Sequence, residues 1–147
     1  MQAVRHDEGA SLPVGAAGFC WGGKHAIVLT HAYSVTTQEG GPAGRPLVDA
    51  AFVAHPSVVE YPDEIEKVRK PISLAIGDKD MSVSMAQIET TQKAWAALKD
   101  VVDTEVVVYP GANHGFTVRV DHFNEKLLEQ CQAAEDQAIQ WFTKYLK

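Results

Sequence analysis

The chain has 147 residues, 46% of them hydrophobic and 22% charged, with a formal net charge of -6. That length builds one domain with a real core and is too short for two, so residues 1–147 read as a single globular domain of ordinary composition. The acidic balance argues against nucleic acid and anionic membrane as partners, and no apolar run reaches the ~18 residues of a membrane-crossing helix.

In chain order, Met1 to Ala10 carries charges and lacks the apolar stretch of a secretory leader. Pro13 to Phe19 predicts a short buried strand, and Trp21 to Tyr33 a helix whose first residues are small. Ser34 to Pro46, rich in Gly, Thr and Pro, predicts a loop. A second apolar strand is expected over Val48 to Ala54, ending at His55-Pro56. A helical or irregular connection over Tyr61 to Arg69 leads to a third strand, Pro71 to Ile76, which breaks at the turn composition Gly77-Asp78-Lys79-Asp80. Val83 to Leu98 predicts a helix with Ile88, Thr91, Trp95 and Leu98 on one buried face. Thr104 to Tyr109 is a fourth, Val-rich strand, and Pro110-Gly111-Ala112-Asn113 turns the chain to His114. The last helix, about Asn124 to Leu146, carries an apolar stripe of Leu127, Leu128, Cys131, Ala138, Phe142 and Tyr145.

Alternating strands and helices imply an α/β fold, with about four parallel strands flanked by helices. In such sheets, ligands bind outside the C-terminal strand ends, which right-handed crossovers place along one edge. Cys20, Asp80 and His114 each follow a strand end and therefore converge there, though distant in sequence. The segment Gly18-Phe19-Cys20-Trp21-Gly22-Gly23 has the pattern of a nucleophile elbow with Cys in the Ser position. There the chain turns sharply from strand into helix, and small residues at Gly18 and Gly22 suit the bend. The thiol stands at a helix N-terminus, where unpaired N–H groups favour thiolate. In this arrangement Cys20 attacks a carbonyl carbon and His114 shuttles the proton. Asp80 fixes the imidazole tautomer, and the Trp21 backbone N–H serves as an oxyanion donor. Asp78 competes with Asp80 for the acidic role; Asp80 stands further into the loop. His55 reads as a pocket wall or as a structural His-Pro turn. His6, His25, His31 and His122 show no metal-ligand spacing, and Trp95, Cys131 and Trp141 read as packing residues. Two cysteines do not make a disulfide scaffold, so a reduced, cytoplasmic setting is expected.

These residues carry a resemblance. Gly18 to Gly23, Ala54-His55-Pro56-Ser57, Gly77-Asp78-Lys79-Asp80 and Asn113-His114-Gly115-Phe116 occur in the order found in the dienelactone hydrolase family of α/β-hydrolases, particularly its fungal-type members. The resemblance implies a Cys20–His114–Asp80 triad, no cofactor or metal, and hydrolysis of a small-molecule ester or lactone. It also places Phe116 and His55 near substrate, and makes Arg119 the nearest match to the arginine that binds substrate carboxylate in bacterial members. Class I glutamine amidotransferases share the Cys elbow, but their histidine is followed by x-Glu, where this chain has Gly115-Phe116. The matching residues correspond to the C-terminal part of the family's fold, so the N-terminal strands, with the second oxyanion donor and a glutamate near the thiol, are expected to be absent. Two expectations follow from that. The first strand is an exposed sheet edge that a second copy of the chain would cover. The alternative to a working hydrolase is a catalytically weak fragment that serves as a binding or interaction module.

Overall fold

A computed structural model describes residues 11–32, 46–120 and 123–147. In chain order these form β1 (Gly15–Phe19), α1 (Trp21–Leu29), β2 (Ala50–Ala54), α2 (Asp63–Glu66), β3 (Ile72–Lys79), α3 (Met85–Ala97), β4 (Thr104–Asn113) and α4 (Glu125–Tyr145). The strands make one parallel sheet in the order β1-β2-β3-β4. The predicted loop from Ser34 falls largely on residues 33–45, outside the described residues, as do His6 and His122.

Successive side chains of a strand point to opposite faces, and this alternation builds two cores. Ala51, Val53, Leu74 and Ile76 meet Ile27 of α1, Ile65 of α2, and Ile88 and Trp95 of α3. Phe52, Ala54 and Ala75 meet Tyr109, Phe116 and Ala134, with Ala138 and Phe142 of α4 packed against them. All five residues of β2 are buried, as a strand covered on both faces and both edges requires. The α4 stripe read from the sequence faces the sheet: Leu127, Leu128, Cys131, Ala138, Phe142 and Tyr145 are all partly buried. Trp95 is a core residue, its indole N–H donating to the Ile65 carbonyl at 3.2 Å. Ser84 and Gln87 form a reciprocal capping box that starts α3, and Asn124 caps α4 by accepting from the Leu127 N–H.

Two boundaries differ from the sequence reading. Helix α1 stops at Leu29 rather than near Tyr33. The Thr30 hydroxyl donates to the Ile27 carbonyl, and His31 leaves the helix to bridge Val68 and bond the Glu64 carbonyl through Nε2. The larger difference concerns the two turn compositions at Gly77-Asp78 and Pro110-Gly111, which are not strand ends. They pair with each other, extending β3 and β4 past an irregularity until Lys79 stands opposite Asn113. Gly77 permits this, because a Cβ there would lie 2.0 Å from the Ala112 carbonyl oxygen. Asp78 braces the extension by accepting from the Gly111 N–H at 2.6 Å. Backbone approach and a β-bulge explain a glycine that reads as a chain reversal in sequence.

Candidate active site

The elbow begins with the close approach of β1 to α1. A Cβ on Gly18 would lie 2.4 Å from the Gly22 carbonyl oxygen and 2.6 Å from Ala26 Cβ, so only glycine lets the helix fold back on its strand. The reason given for Gly22 does not hold: a Cβ there meets nothing within 4 Å, and Gly23 is the tight position, 2.8 Å from Pro56. Cys20 stands at the turn with φ 52° and ψ -124°, an unfavourable conformation for a residue with a side chain. Its backbone is tied on both sides. Its N–H donates to the Ala54 carbonyl, and its own carbonyl accepts from the N–H groups of Gly23 and Ser57.

From that position the sulfur lies 3.1 Å from His114 Nε2, and His114 Nδ1 lies 3.0 and 3.1 Å from the two carboxylate oxygens of Asp80. Three strand-end residues thus meet in one line, across 94 residues of chain. The Asp80 side chain is fully buried and also accepts from the Ser82 N–H at 2.7 Å, which fixes its orientation. Because Nδ1 faces a carboxylate, it carries the hydrogen, and Nε2 is left to exchange a proton with sulfur. The competition between Asp78 and Asp80 is resolved by their contacts: Asp78 holds the strand extension and Asp80 the imidazole.

The sequence model of the Dienelactone hydrolase family matches residues 1–146. The chain belongs to the dienelactone hydrolase family. Among its relatives is Hydrolase tropI of Talaromyces stipitatus, 28% identical over 135 residues that cover 91% of this chain and 46% of the relative. A crystal structure of a Klebsiella pneumoniae protein assigned to the dienelactone hydrolases superposes with a TM-score of 0.65 at 25% identity, covering 89% of this chain and 52% of that one. A dienelactone hydrolase-like promiscuous phosphotriesterase from metagenomic libraries shares the fold, with a TM-score of 0.64 at 18% identity over 91% of this chain and 53% of its own. The chain spans about half the length of the relatives it matches.

In this member of the dienelactone hydrolase family, the electrostatics of the cluster favour charge separation. The hydrogen bond with His114 lowers the Cys20 thiol below its ordinary value, helped by Ser57, the Trp21 backbone N–H and the charge of His114 against the opposing effect of burial. For His114 the largest single influence is burial, which acts downward. The hydrogen bond to Cys20 and the charge and hydrogen bond of Asp80 outweigh it, and the imidazole ends above its ordinary value. The Trp21 side chain is exposed and its ring meets His25 edge-on at 4.1 Å.

The remaining residues expected near substrate separate into two groups. Arg119 is exposed, on the helical turn that its N–H closes with the Gly115 carbonyl, one residue beyond His114. His55 and Phe116 are both buried. Phe116 is 5% exposed and packs on Tyr109 in the core, ring centroids 5.0 Å apart. His55 has no exposed surface. Its ring lies 5.1 Å from that of His114 and 5.9 Å from Phe116, and Nε2 meets the Thr117 hydroxyl at 2.7 Å. Burial, reinforced by the charge of His114, lowers its pKa to about 4, so it is a neutral support behind His114. The inward orientation of His55 comes from the strand-end geometry: the first residue past the buried strand β2 still belongs to the core. Sequence reasoning gave no role to Ser57 or Thr117. The available signal was that Ser57 follows a strand end on the same sheet edge as the other three. Among the described residues no helix is long and apolar enough to cross a membrane.

Proposed function

We propose that this chain hydrolyses carboxylic esters or lactones, with Cys20 as nucleophile, His114 as general base and acid, and Asp80 as the group that orients and steadies the imidazole. The observation that carries this reading is the 3.1 Å contact between Cys20 Sγ and His114 Nε2, backed by Asp80 on Nδ1. The sulfur gives its proton to Nε2 and bonds to the carbonyl carbon of the substrate, whose oxygen takes the negative charge. The Trp21 N–H, the backbone donor that follows the nucleophile, donates to that oxygen. Collapse breaks the ester C–O bond, and the alkoxide leaves as an alcohol with the proton from Nε2. Water then loses a proton to Nε2 and its oxygen adds to the thioester carbon. Expulsion of the thiolate frees the carboxylic acid and restores the Cys20–His114 pair. For a lactone the alcohol stays attached to the acid, and Arg119, exposed beside the histidine loop, is the cation available for a substrate carboxylate.

The substrate is a small molecule, and a reducing compartment such as the cytoplasm keeps Cys20 as a thiol. The described chain forms one domain, and its assembly partner is a second copy. Among the described residues the outer edge of β1 has no paired strand, and Gly15, Ala17 and Phe19 are exposed along it. The test of the catalytic reading is turnover of p-nitrophenyl acetate by the wild type and by Cys20→Ala and His114→Ala. Loss of turnover in both variants is expected. Equal turnover in all three proteins refutes the triad and leaves a binding module on the same fold.

A further inference from the structure

Ser57 follows the His55-Pro56 turn at the end of β2 and meets Cys20 twice. Its N–H donates to the Cys20 carbonyl at 3.0 Å, and its hydroxyl oxygen stands 3.7 Å from Sγ, within reach of a large, polarisable sulfur. The turn that presents it is held firmly. His55 and Val58, on either side, adopt φ values of 38° and 60°, which residues with a Cβ rarely take, and the His55 N–H is fixed to the Ala75 carbonyl at 2.9 Å. The first turn of α1 presses on Pro56 through Gly23. Left-handed backbone at two non-glycine residues persists only where the surroundings impose it, and such strain gathers at functional sites.

Two side chains converge on the sulfur: His114 Nε2 and the Ser57 hydroxyl. A neutral thiol has one proton to give and is a weak acceptor, so it serves only one of the two well. A thiolate accepts from the Ser57 hydroxyl and a protonated His114 at once. The Ser57 N–H bond makes the placement independent of the hydroxyl, so the hydroxyl can be removed without releasing the turn.

We propose that Ser57 is a positioning residue for the thiolate: its hydroxyl donates to the Cys20 sulfur and holds it facing His114 Nε2 between turnovers. This rests on the reading of Cys20 as nucleophile but concerns the ground state of the sulfur, which is measurable without a substrate. The proton it donates stays on Ser57 throughout, and no bond to Ser57 forms or breaks.

The experiment is alkylation of the full chain by iodoacetamide as a function of pH, with modification at Cys20 and Cys131 resolved by peptide mass spectrometry. It is run on wild type, Ser57→Ala and Ser57→Thr, alongside thiolate ultraviolet absorbance. Ser57→Ala should move the Cys20 titration midpoint upward by about half a pH unit or more, as loss of a hydrogen bond to the charged form requires. Ser57→Thr, which keeps a hydroxyl, should retain the wild-type midpoint, and the Cys131 titration should not move in either variant. A merely structural role would move both variants alike, and that result, or a Ser57→Ala midpoint equal to wild type, overturns the proposal. If ester turnover is absent but the midpoints behave as stated, the hydrolase reading fails and the Ser57 contact stands.

Discussion

The two outer strands of the sheet have similar surroundings in sequence and opposite fates in the fold. Strand β1 is Gly- and Ala-rich and, among the described residues, bonds to β2 along one edge only, with Gly15, Ala17 and Phe19 exposed. Strand β4 is also an edge strand, yet it is prolonged and braced. It runs ten residues to Asn113, pairs with β3 past a bulge, and is pinned by Asp78. Cys20 follows the open strand and His114 the braced one. Cys20 is therefore secured not by its own strand's edge but by contacts to β2: the Ala54 carbonyl, the Ser57 N–H and the packing of Gly23 on Pro56. Where a side chain follows a weakly supported strand, the neighbouring loop has to supply the precision of its placement.

Asp80→Asn should have the largest effect on the braced side. The amide keeps the shape of the carboxylate but offers Nδ1 a donor in place of an acceptor, disfavouring the tautomer that leaves Nε2 free for the sulfur. Ester turnover should fall by about 10²–10⁴ with little change in thermal midpoint. Retention of activity would place the orienting charge elsewhere.

Glycine substitutions compare the two sides in stability. Gly18→Ala at the elbow and Gly77→Ala at the strand extension each force a Cβ into backbone or a neighbouring side chain, and each should cost about 2 kcal/mol or more. Gly22→Ala meets open space inside a helix and should be neutral or slightly stabilising. Urea unfolding of the three variants checks the ranking, and an equal cost at Gly22 and Gly18 would contradict the elbow packing.

The buried support behind His114 predicts a pH dependence. His55 has a folded pKa near 4, below its unfolded value of 6.5, so the unfolded chain binds the extra proton across that window. Stability must then be fully present above about 6.5 and decline as pH falls toward 4, by on the order of 1 to 3 kcal/mol. His55→Gln should remove this component, leaving a shallower acid limb in the unfolding free energy. An unchanged limb would mean that other groups set it.

The smallest effect concerns the open edge. Light scattering of the wild type should show a dimer at micromolar concentration. Ala17→Lys, which puts a charge on the exposed side of β1, should shift it toward monomer with turnover largely retained. A soluble wild-type monomer would show that β1 tolerates exposure.

The order of strands and helices, the two-faced core and the approach of Cys20, Asp80 and His114 were all legible from local patterns. Period-two and helical apolar spacing set the layers, and a parallel sheet with right-handed crossovers carries its strand-end residues to one edge. The elbow was legible as well, since a Cys between glycines at a strand-to-helix boundary is a local feature. What only the tertiary structure decided depends on contacts between segments far apart in the chain. The Gly77-Asp78 and Pro110-Gly111 segments became part of the paired strands because β3 and β4 run beside each other past the bulge, a choice that turn propensity does not register. Asp78 and Asp80 divided their work according to which partner each met. His55 lies buried behind His114, and Ser57 reaches the sulfur, where backbone of positive φ at the end of β2 aims them. Propensity and spacing act within a few residues, whereas a side chain's role is set by what lies across from it in three dimensions.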